Sequence, residues 1–316
     1  MVPYLSVVIP IFNEEENIAQ LWARLSKVLR ENFDAVGWEV VMTDDGSRDR
    51  SLGMLLEIAK AEPRVKVVEF NRNYGQHAAI FAAFAQTFGR VVVTMDADLQ
   101  NPPEEIPKLT AKIDEGFDVV GGWRQDRQEN DSFFRTMPSK IVNAMTRKTT
   151  GVKLHDYGCM LRAYSRDVID AMLHCKERSS FIPALANSFA KRVTEIPVAH
   201  AERAAGESKY GLWRLINLQF DLLTSFSLLP LQMLSVLGVV IAMLGFVLFV
   251  GLMVYRFTYP EGTVQGVFTL FALLFFFVGC QFVAFGLLGE YIGRIYVEVR
   301  DRPRYMIKKV YGASHH

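Results

Sequence analysis

The chain has 316 residues, half of them hydrophobic, and 35 Lys and Arg set against 34 Asp and Glu leave a formal net charge of +1. That balance excludes a bulk nucleic-acid footprint, which needs a strongly basic face. The mean hydropathy is positive and unevenly spread, so there is room for one good-sized α/β domain and a separate apolar part.

The chain opens on a strand. Leu5 to Ile18 reads as a buried strand, a turn and the start of a helix, with Asn13 as its N-cap and acidic residues in the first turn. No basic segment with a short apolar run and cleavage site comes first, so the N-terminal domain is expected to stay on the side where it is made. WEVVMTDDGSRD repeats the pattern, with a strand from Glu39 to Thr43, a turn at Asp44-Asp45-Gly46-Ser47 and a helix from about Asp49. VKVVEFNRNYGQHAAIFAAF gives it a third time, with Asn73, Tyr74 and Gly75 in the turn. The fourth strand begins at Val91 and the fifth spans Asp118 to Gly121. Strands alternating with helical patterns imply right-handed crossovers and a parallel sheet. Polar residues collect at one edge of that sheet, where open α/β sheets place ligands.

The fourth strand carries the sharpest signal. It runs into Asp96-Ala97-Asp98, and Asn101-Pro102-Pro103 then stops regular structure. Two carboxylates at i and i+2, with Gln100 as a further oxygen donor, suit Mg²⁺ or Mn²⁺ bound to a diphosphate. The competing reading is a pair of solvated turn aspartates. No G-x-G-x-x-G follows the first strand and no G-x-x-x-x-G-K-[ST] occurs, which argues against a Rossmann dehydrogenase or a P-loop NTPase. Cys159, Cys175 and Cys280 make neither a disulfide framework nor zinc spacing, as expected of a reducing cytoplasm.

Two charge-free runs follow, from Leu222 to Tyr255 and from Gly262 to Gly289. Each exceeds the roughly 20 residues that cross a bilayer. The expected organisation is a catalytic domain over residues 1–210 and two transmembrane helices within 230–290, joined by a short loop near 256–265. A basic tail occupies 291–316. Segments 133–150 and 211–229 show apolar residues at helical spacing with Arg or Lys between them, as in helices lying at a lipid interface. The tail holds Arg294, Arg300, Arg302, Arg304, Lys308 and Lys309 against one basic residue in the loop, which puts the tail and the domain in the cytoplasm.

IPIFNEE, DDGS, NRNYGQHAA and DADLQNPPEE resemble the nucleotide-sugar domain of the family 2 glycosyltransferases, which have the GT-A fold. DYGCMLRAYSRDVIDAMLHCKERSSFIPALA and HAERAAGESKYGLWRLINLQFDLLT, with the paired apolar runs, resemble the polyprenyl-phosphate branch of that family. The resemblance covers nearly the whole chain. It implies a mostly parallel sheet with helices on both faces, followed by interfacial and transmembrane helices. The Q-x-x-R-W motif of the processive synthases is absent, which implies single-sugar transfer.

By this resemblance Pro10, Phe12 and Glu14 line the nucleotide pocket, Asp44 contacts uracil, and Asn73 and Gly75 lie in the turn closing over the nucleotide. Asp45 is expected to hold the turn, and Glu14 has the alternative of a plain first-turn acid. Other branches often carry Lys where this chain has Gln76, so Gln76 is given no charge role. Asp96, Asp98 and Gln100 match the metal-binding residues. Arginine forks suit phosphate, so Arg127 and Arg135, in the polar loop after the fifth strand, are expected to close over the donor or meet the acceptor phosphate of the lipid or, alternatively, to lie on a solvated surface. Arg203, Ser208 and Lys209 match a second anionic loop, with Lys209 serving the donor diphosphate or the acceptor phosphate. Asp156 is placed beside the reacting centre, as a base, an orienter of the sugar or a stabiliser of an oxocarbenium-like state. The implied reaction is an inverting transfer of one sugar from UDP to undecaprenyl phosphate at a bacterial inner membrane. Its sugar is 4-deoxy-4-formamido-L-arabinose or, alternatively, glucose, mannose or another. The implied assembly is a homotetramer in the bilayer. A transporter component that only binds nucleotide sugar is the rival from another class; spans without internal charge give it no polar pathway.

Overall fold

The computed structural model describes residues 2–124, 159–175, 181–199, 229–258, 267–300 and 303–312. Two compact units divide the chain, Met1–Leu215 with Pro303–His316, and Ile216–Arg302.

Among the described residues the first unit has eight strands: β1 (Leu5–Ile11), β2 (Trp38–Asp44), β3 (Val65–Phe70), β4 (Val91–Thr94), β5 (Val119–Arg124), β6 (Arg162–Ser165), β7 (Val193–Val198) and β8 (Ile307–Tyr311). They form one sheet in the order β7-β5-β6-β4-β1-β2-β3-β8. β4, β1, β2 and β3 run parallel. β6 and β8 pair antiparallel with their neighbours, and β7 is parallel to β5.

Helices α1 (Ile18–Phe33), α2 (Ser51–Ala61), α3 (Gln76–Phe84) and α4 (Ile106–Asp114) connect the first five strands, and α5 (Arg166–His174) and α6 (Ile182–Phe189) lie between β6 and β7. Because strand side chains alternate between faces, the central strands supply two cores. Val7, Ile9, Val40, Met42, Val91 and Val93 pack on one face with Leu21 and Leu25 of α1, Leu55 of α2 and Leu109 of α4. Val8, Val41, Val68 and Val92 pack on the other with Ile80 and Phe84 of α3, Ile169 of α5 and Leu185 of α6. Continuous Val/Ile runs are what a sheet covered on both faces requires.

Helix starts depart from expectation. Asn13 is not the N-cap of α1, because the position before the helix is Asn17, which makes no side-chain cap bond. Asn13 instead has φ +55°, and its Oδ1 accepts the Arg48 N–H at 2.8 Å. It ties the turn after β1 to the turn after β2, a long-range bond that local helix rules do not reveal. The C-terminal segment also differs from a bare basic tail. Residues 307–311 are a strand on the edge of β3, with Val68 opposite Val310.

The second unit contains α7 (Leu229–Thr258, 30 residues) and α8 (Val267–Val299, 33 residues). Met233, Met243, Leu244 and Val247 of α7 and Leu270, Phe282 and Val283 of α8 are each at least 65% exposed on this single chain. Among the described residues, no helix is long and apolar enough to cross a membrane. The full sequence, which includes positions outside that set, carries no charge from 267 to 289.

Candidate active site

The register of the parallel strands brings the polar turns together. Ile11 lies opposite Asp44, and Asp44 opposite Glu69. Val8 lies opposite Thr94, and the Met95 N–H donates to the Val8 carbonyl, so the loop bearing Asp96 starts beside β1. The carboxyl ends of β1, β2, β3 and β4 therefore form one edge bearing Phe12, Asp44, Asp45, Asn73 and Asp96.

The turn after β2 is the buried part. Asp44 and Asp45 are 1% and 2% exposed. Both Asp44 carboxylate oxygens accept the Ser47 N–H at 3.3 Å. Asp45 accepts the Tyr74 N–H at 2.7 Å and the Gly75 N–H at 2.9 Å, so it does hold the next turn. Burial raises the pKa of both acids; for Asp44 this outweighs the Ser47 hydrogen bonds, and nearby Glu69 pushes the same way. For Asp45 burial outweighs the two amide bonds, with Asp44 adding to the rise. Gly46 explains how the turns fit. It sits at φ +72°, and a Cβ there would lie 2.6 Å from the Arg72 carbonyl carbon and 2.8 Å from the Asn73 nitrogen. Only glycine allows that approach.

Around this turn Phe12 is 42% exposed, leaving an aromatic face available at the sheet edge. Glu14 is half-buried; its N–H donates to Ser51 Oγ at 2.9 Å and its Oε2 accepts from Asn17 at 2.6 Å. Glu14 lies ahead of α1, outside the helix. Asn73 is exposed, and Gly75, at φ +94°, immediately precedes α3.

The loop after β4 presents Asp96, Asp98 and Gln100, all half-buried, between buried Ala97 and Leu99. Leu99 has φ +61°, an uncommon conformation for a non-glycine residue. Its side chain is anchored in the first core, which holds the bend directly after Asp98. Asp98 Oδ1 accepts the Gln100 N–H at 3.2 Å. Asp96 Oδ1 accepts the Gln76 amide at 2.6 Å. Gln76 is thus a neighbour that sequence reasoning passed over; its place at the first position of α3 was the available signal. Among the described residues there is no group of three or more His, Cys, Asp or Glu able to hold a metal. Two carboxylates on one loop still fit a hard divalent ion, which is commonly held by one or two carboxylates and completed by water and substrate phosphates.

Gly122 and Trp123 lie on β5. A Cβ at Gly122 would come within 3.0 Å of the Leu161 carbonyl and of Val198 Cγ2, so packing alone favours glycine there. Arg127, Arg135, Asp156, Arg203, Ser208 and Lys209 lie outside the described residues, as do segments 133–150 and 211–228.

Comparisons with known proteins bear on this site. The description "Glycosyl transferase family 2" matches residues 6–173. The undecaprenyl-phosphate 4-deoxy-4-formamido-L-arabinose transferase of Edwardsiella ictaluri (strain 93-146) is 55% identical over 317 residues, covering 99% of this chain and 96% of that protein. Among solved structures, S. aureus TarS 1-349 is similar at 23% identity over 61% of this chain and 57% of that one, with a TM-score of 0.44. Glucosyl-3-phosphoglycerate synthase from Mycobacterium tuberculosis, in complex with Mn²⁺, UDP and phosphoglyceric acid, is similar at 19% identity over 71% and 77%, with a TM-score of 0.48. From the matched segment and the near-complete coverage of the Edwardsiella relative, the chain belongs to glycosyltransferase family 2 and is a glycosyltransferase.

Proposed function

We propose that this enzyme transfers one sugar, with inversion, from a UDP-sugar to undecaprenyl phosphate at the cytoplasmic face of a bacterial inner membrane. The observation that carries the reading is that Asp44, at the end of β2, and Asp96, in the loop after β4, follow the two strands that flank β1 in parallel, beside the turn that Asp45 fastens. Asp44 accepts an N–H of uracil, Phe12 offers its ring to the base, and Pro10, Glu14, Asn73 and Gly75 shape the pocket. Asp96 and Asp98, with Gln100, would hold Mg²⁺ or Mn²⁺ for the diphosphate of the donor. Such an ion supplies Lewis-acid stabilisation of the charge on departing UDP.

The acceptor needs little activation, because a lipid phosphate is already anionic at neutral pH. One phosphate oxygen forms a bond to the sugar's anomeric carbon. The bond from that carbon to the UDP oxygen breaks, its electron pair leaves with UDP, and no proton has to be removed. Asp156 orients the sugar or stabilises its positive character. Arg127 and Arg135 bind the acceptor phosphate, and Arg203, Ser208 and Lys209 neutralise the donor diphosphate or the acceptor.

Membrane attachment has physical support of its own. In the full sequence the charge-free runs from Leu222 to Tyr255 and from Gly262 to Gly289 each exceed the roughly 20 residues that cross a bilayer. The exposed Met, Val, Leu and Phe side chains along them suit lipid rather than water. The chain leaves the catalytic unit at Leu215 and rejoins it at Pro303, and an even number of crossings satisfies that return. Segments 133–150 and 211–229 then lie at the interface, holding the sugar site at headgroup level. Glycines on both helices permit close packing, which suits a homotetramer.

The sugar we propose is 4-deoxy-4-formamido-L-arabinose, the group in the name of the Edwardsiella relative, for modification of lipid A and polymyxin resistance. Incubation with undecaprenyl phosphate, Mn²⁺ and a panel of UDP-sugars, with lipids read by mass spectrometry, tests this. One lipid-phosphate sugar and equimolar UDP are expected, and chelator should abolish both. Transfer of glucose or mannose alone would correct the sugar. Absence of UDP release with every donor would leave a nucleotide-sugar-binding transporter component as the better reading.

A further inference from the structure

We propose that Tyr305 is a positioning residue for the donor pocket, fixing the Asn73–Gly75 turn through a relay of aromatic rings. The inference rests on the reading that this turn borders the nucleotide.

The Tyr305 ring stacks on Phe70, with centroids 5.2 Å apart and planes 16° from parallel. Phe70 is the last residue of β3 and only 2% exposed. It meets Tyr74 edge-on, at 5.5 Å and 85°. The Tyr74 N–H in turn donates to buried Asp45 at 2.7 Å, and Asp45 adjoins Asp44 in the chain. A second contact reaches the same turn, where the Asn71 amide donates to Met306 Sδ at 3.6 Å. Asn71, Arg72 and Asn73 are exposed, so packing from the protein interior does little to place them, and the neighbouring strap takes on that work.

The strap itself is fastened at several points. Arg304 lies with its guanidinium 4.4 Å over the Phe81 ring and donates to the Cys175 carbonyl at 3.2 Å. Lys308 and Tyr311 of β8 both bond Glu69, at 2.6 and 2.8 Å. This segment is where the chain returns from α8, so the donor turn is braced by residues that follow the last apolar helix. Purely local sequence reading gives Tyr305 no role.

The test uses the full chain in detergent or nanodiscs. Aromatic pairs of this kind are worth about 2- to 10-fold in an equilibrium. Tyr305→Ala should raise the KM for UDP-sugar and the Kd for UDP with Mn²⁺ by about that factor. It should leave kcat at saturating donor within twofold and the KM for undecaprenyl phosphate unchanged. Amides 71–76 should exchange hydrogen faster, and Tyr305→Phe should restore every value. Should Tyr305→Ala fail to fold, Tyr305→Leu keeps the apolar contact without the ring and should give the same pattern, more weakly.

Unchanged donor KM, a fall in kcat alone, or Tyr305→Phe as impaired as Tyr305→Ala would each overturn the proposal. Failure of the unaltered protein to bind UDP would sink the donor-pocket reading and this proposal with it. That result is distinct from failure of the proposal alone, in which the unaltered protein and Tyr305→Ala bind UDP equally well.

Discussion

The Gln76 amide donates to Asp96 Oδ1 at 2.6 Å, joining the first residue of α3 to the loop after β4. The bond restrains one carboxylate of the proposed metal site from a neighbouring crossover, and an uncharged donor does so without competing with a cation for the oxygen's charge.

Gln76→Leu should therefore raise the Mn²⁺ concentration for half-maximal transfer by about 3- to 10-fold, the net worth of one ordinary hydrogen bond. Gln76 is exposed, so the thermal midpoint should hardly move. Asp98→Ala sets the outer limit: a loss of about 10³-fold or more in turnover, in keeping with removing a principal electrostatic stabiliser, with the fold intact by circular dichroism. Full metal-dependent turnover in Asp98→Ala would count decisively against the ion site.

Asp44 is held as a buried acid at a cost to stability. A carboxyl whose pKa is raised on folding binds its proton more tightly in the native state, so stability falls as pH rises from the ordinary aspartate range through the folded-state value. Above that folded-state value the penalty is fully present. Asp44→Asn removes the charge and keeps an acceptor for the Ser47 N–H, so its thermal midpoint at pH 7 should rise while UDP affinity falls about 10-fold, the worth of a hydrogen bond to a charged group. Calorimetry of both quantities on one preparation checks the trade, and a midpoint that drops would refute it.

Gly46→Ala forces a Cβ into the Arg72 backbone at a positive φ. A loss of about 2–4 kcal/mol in unfolding free energy is expected from strain of this kind, with donor binding weakened because two turns move apart. Gly53 in α2 is exposed, and a Cβ added there would meet nothing within 4 Å. Gly53→Ala should stabilise by about 0.5–1 kcal/mol. Denaturant titration of the pair separates backbone strain from a general effect of added bulk.

The edge strand β8 should respond to acid. Burial alone would raise the Glu69 pKa, but hydrogen bonds from Lys308 and Tyr311 outweigh it and hold the carboxyl below its usual value. A depressed carboxyl contributes stability above its unfolded pKa and loses it as pH falls through the folded value. Protection of amides 307–311 against hydrogen exchange, relative to the intrinsic rate at each pH, should thus fall below about pH 4.3, the ordinary glutamate value. Glu69→Gln should be less protected at pH 7 and show little further change in protection on acidification. Equal exchange in both proteins across that range would remove Glu69 as the anchor.

The sequence by itself determined the repeating strand–turn–helix order, because apolar runs and turn residues act locally. It also determined that DDGS, NRNYG and DADLQ sit at strand ends. The family resemblance gave Asp45 a turn-holding place, but the turn that it holds, through the Tyr74 and Gly75 amides, lies 29 and 30 residues away. Local logic misread Asn13 as a helix cap, because the Arg48 N–H that claims its side chain lies 35 residues away. Residues 307–311, Ile-Lys-Lys-Val-Tyr, carry the β-branched and lysine pattern of an edge strand. A five-residue signal cannot name its partner, so their pairing with β3 emerged only when the chain closed on itself. Tertiary structure alone decided that Gln76 faces Asp96, that Gly46 is pressed against Arg72, and that Tyr305 stacks on Phe70. Each of these depends on register and packing between segments distant in sequence, which periodicity along a single segment does not encode.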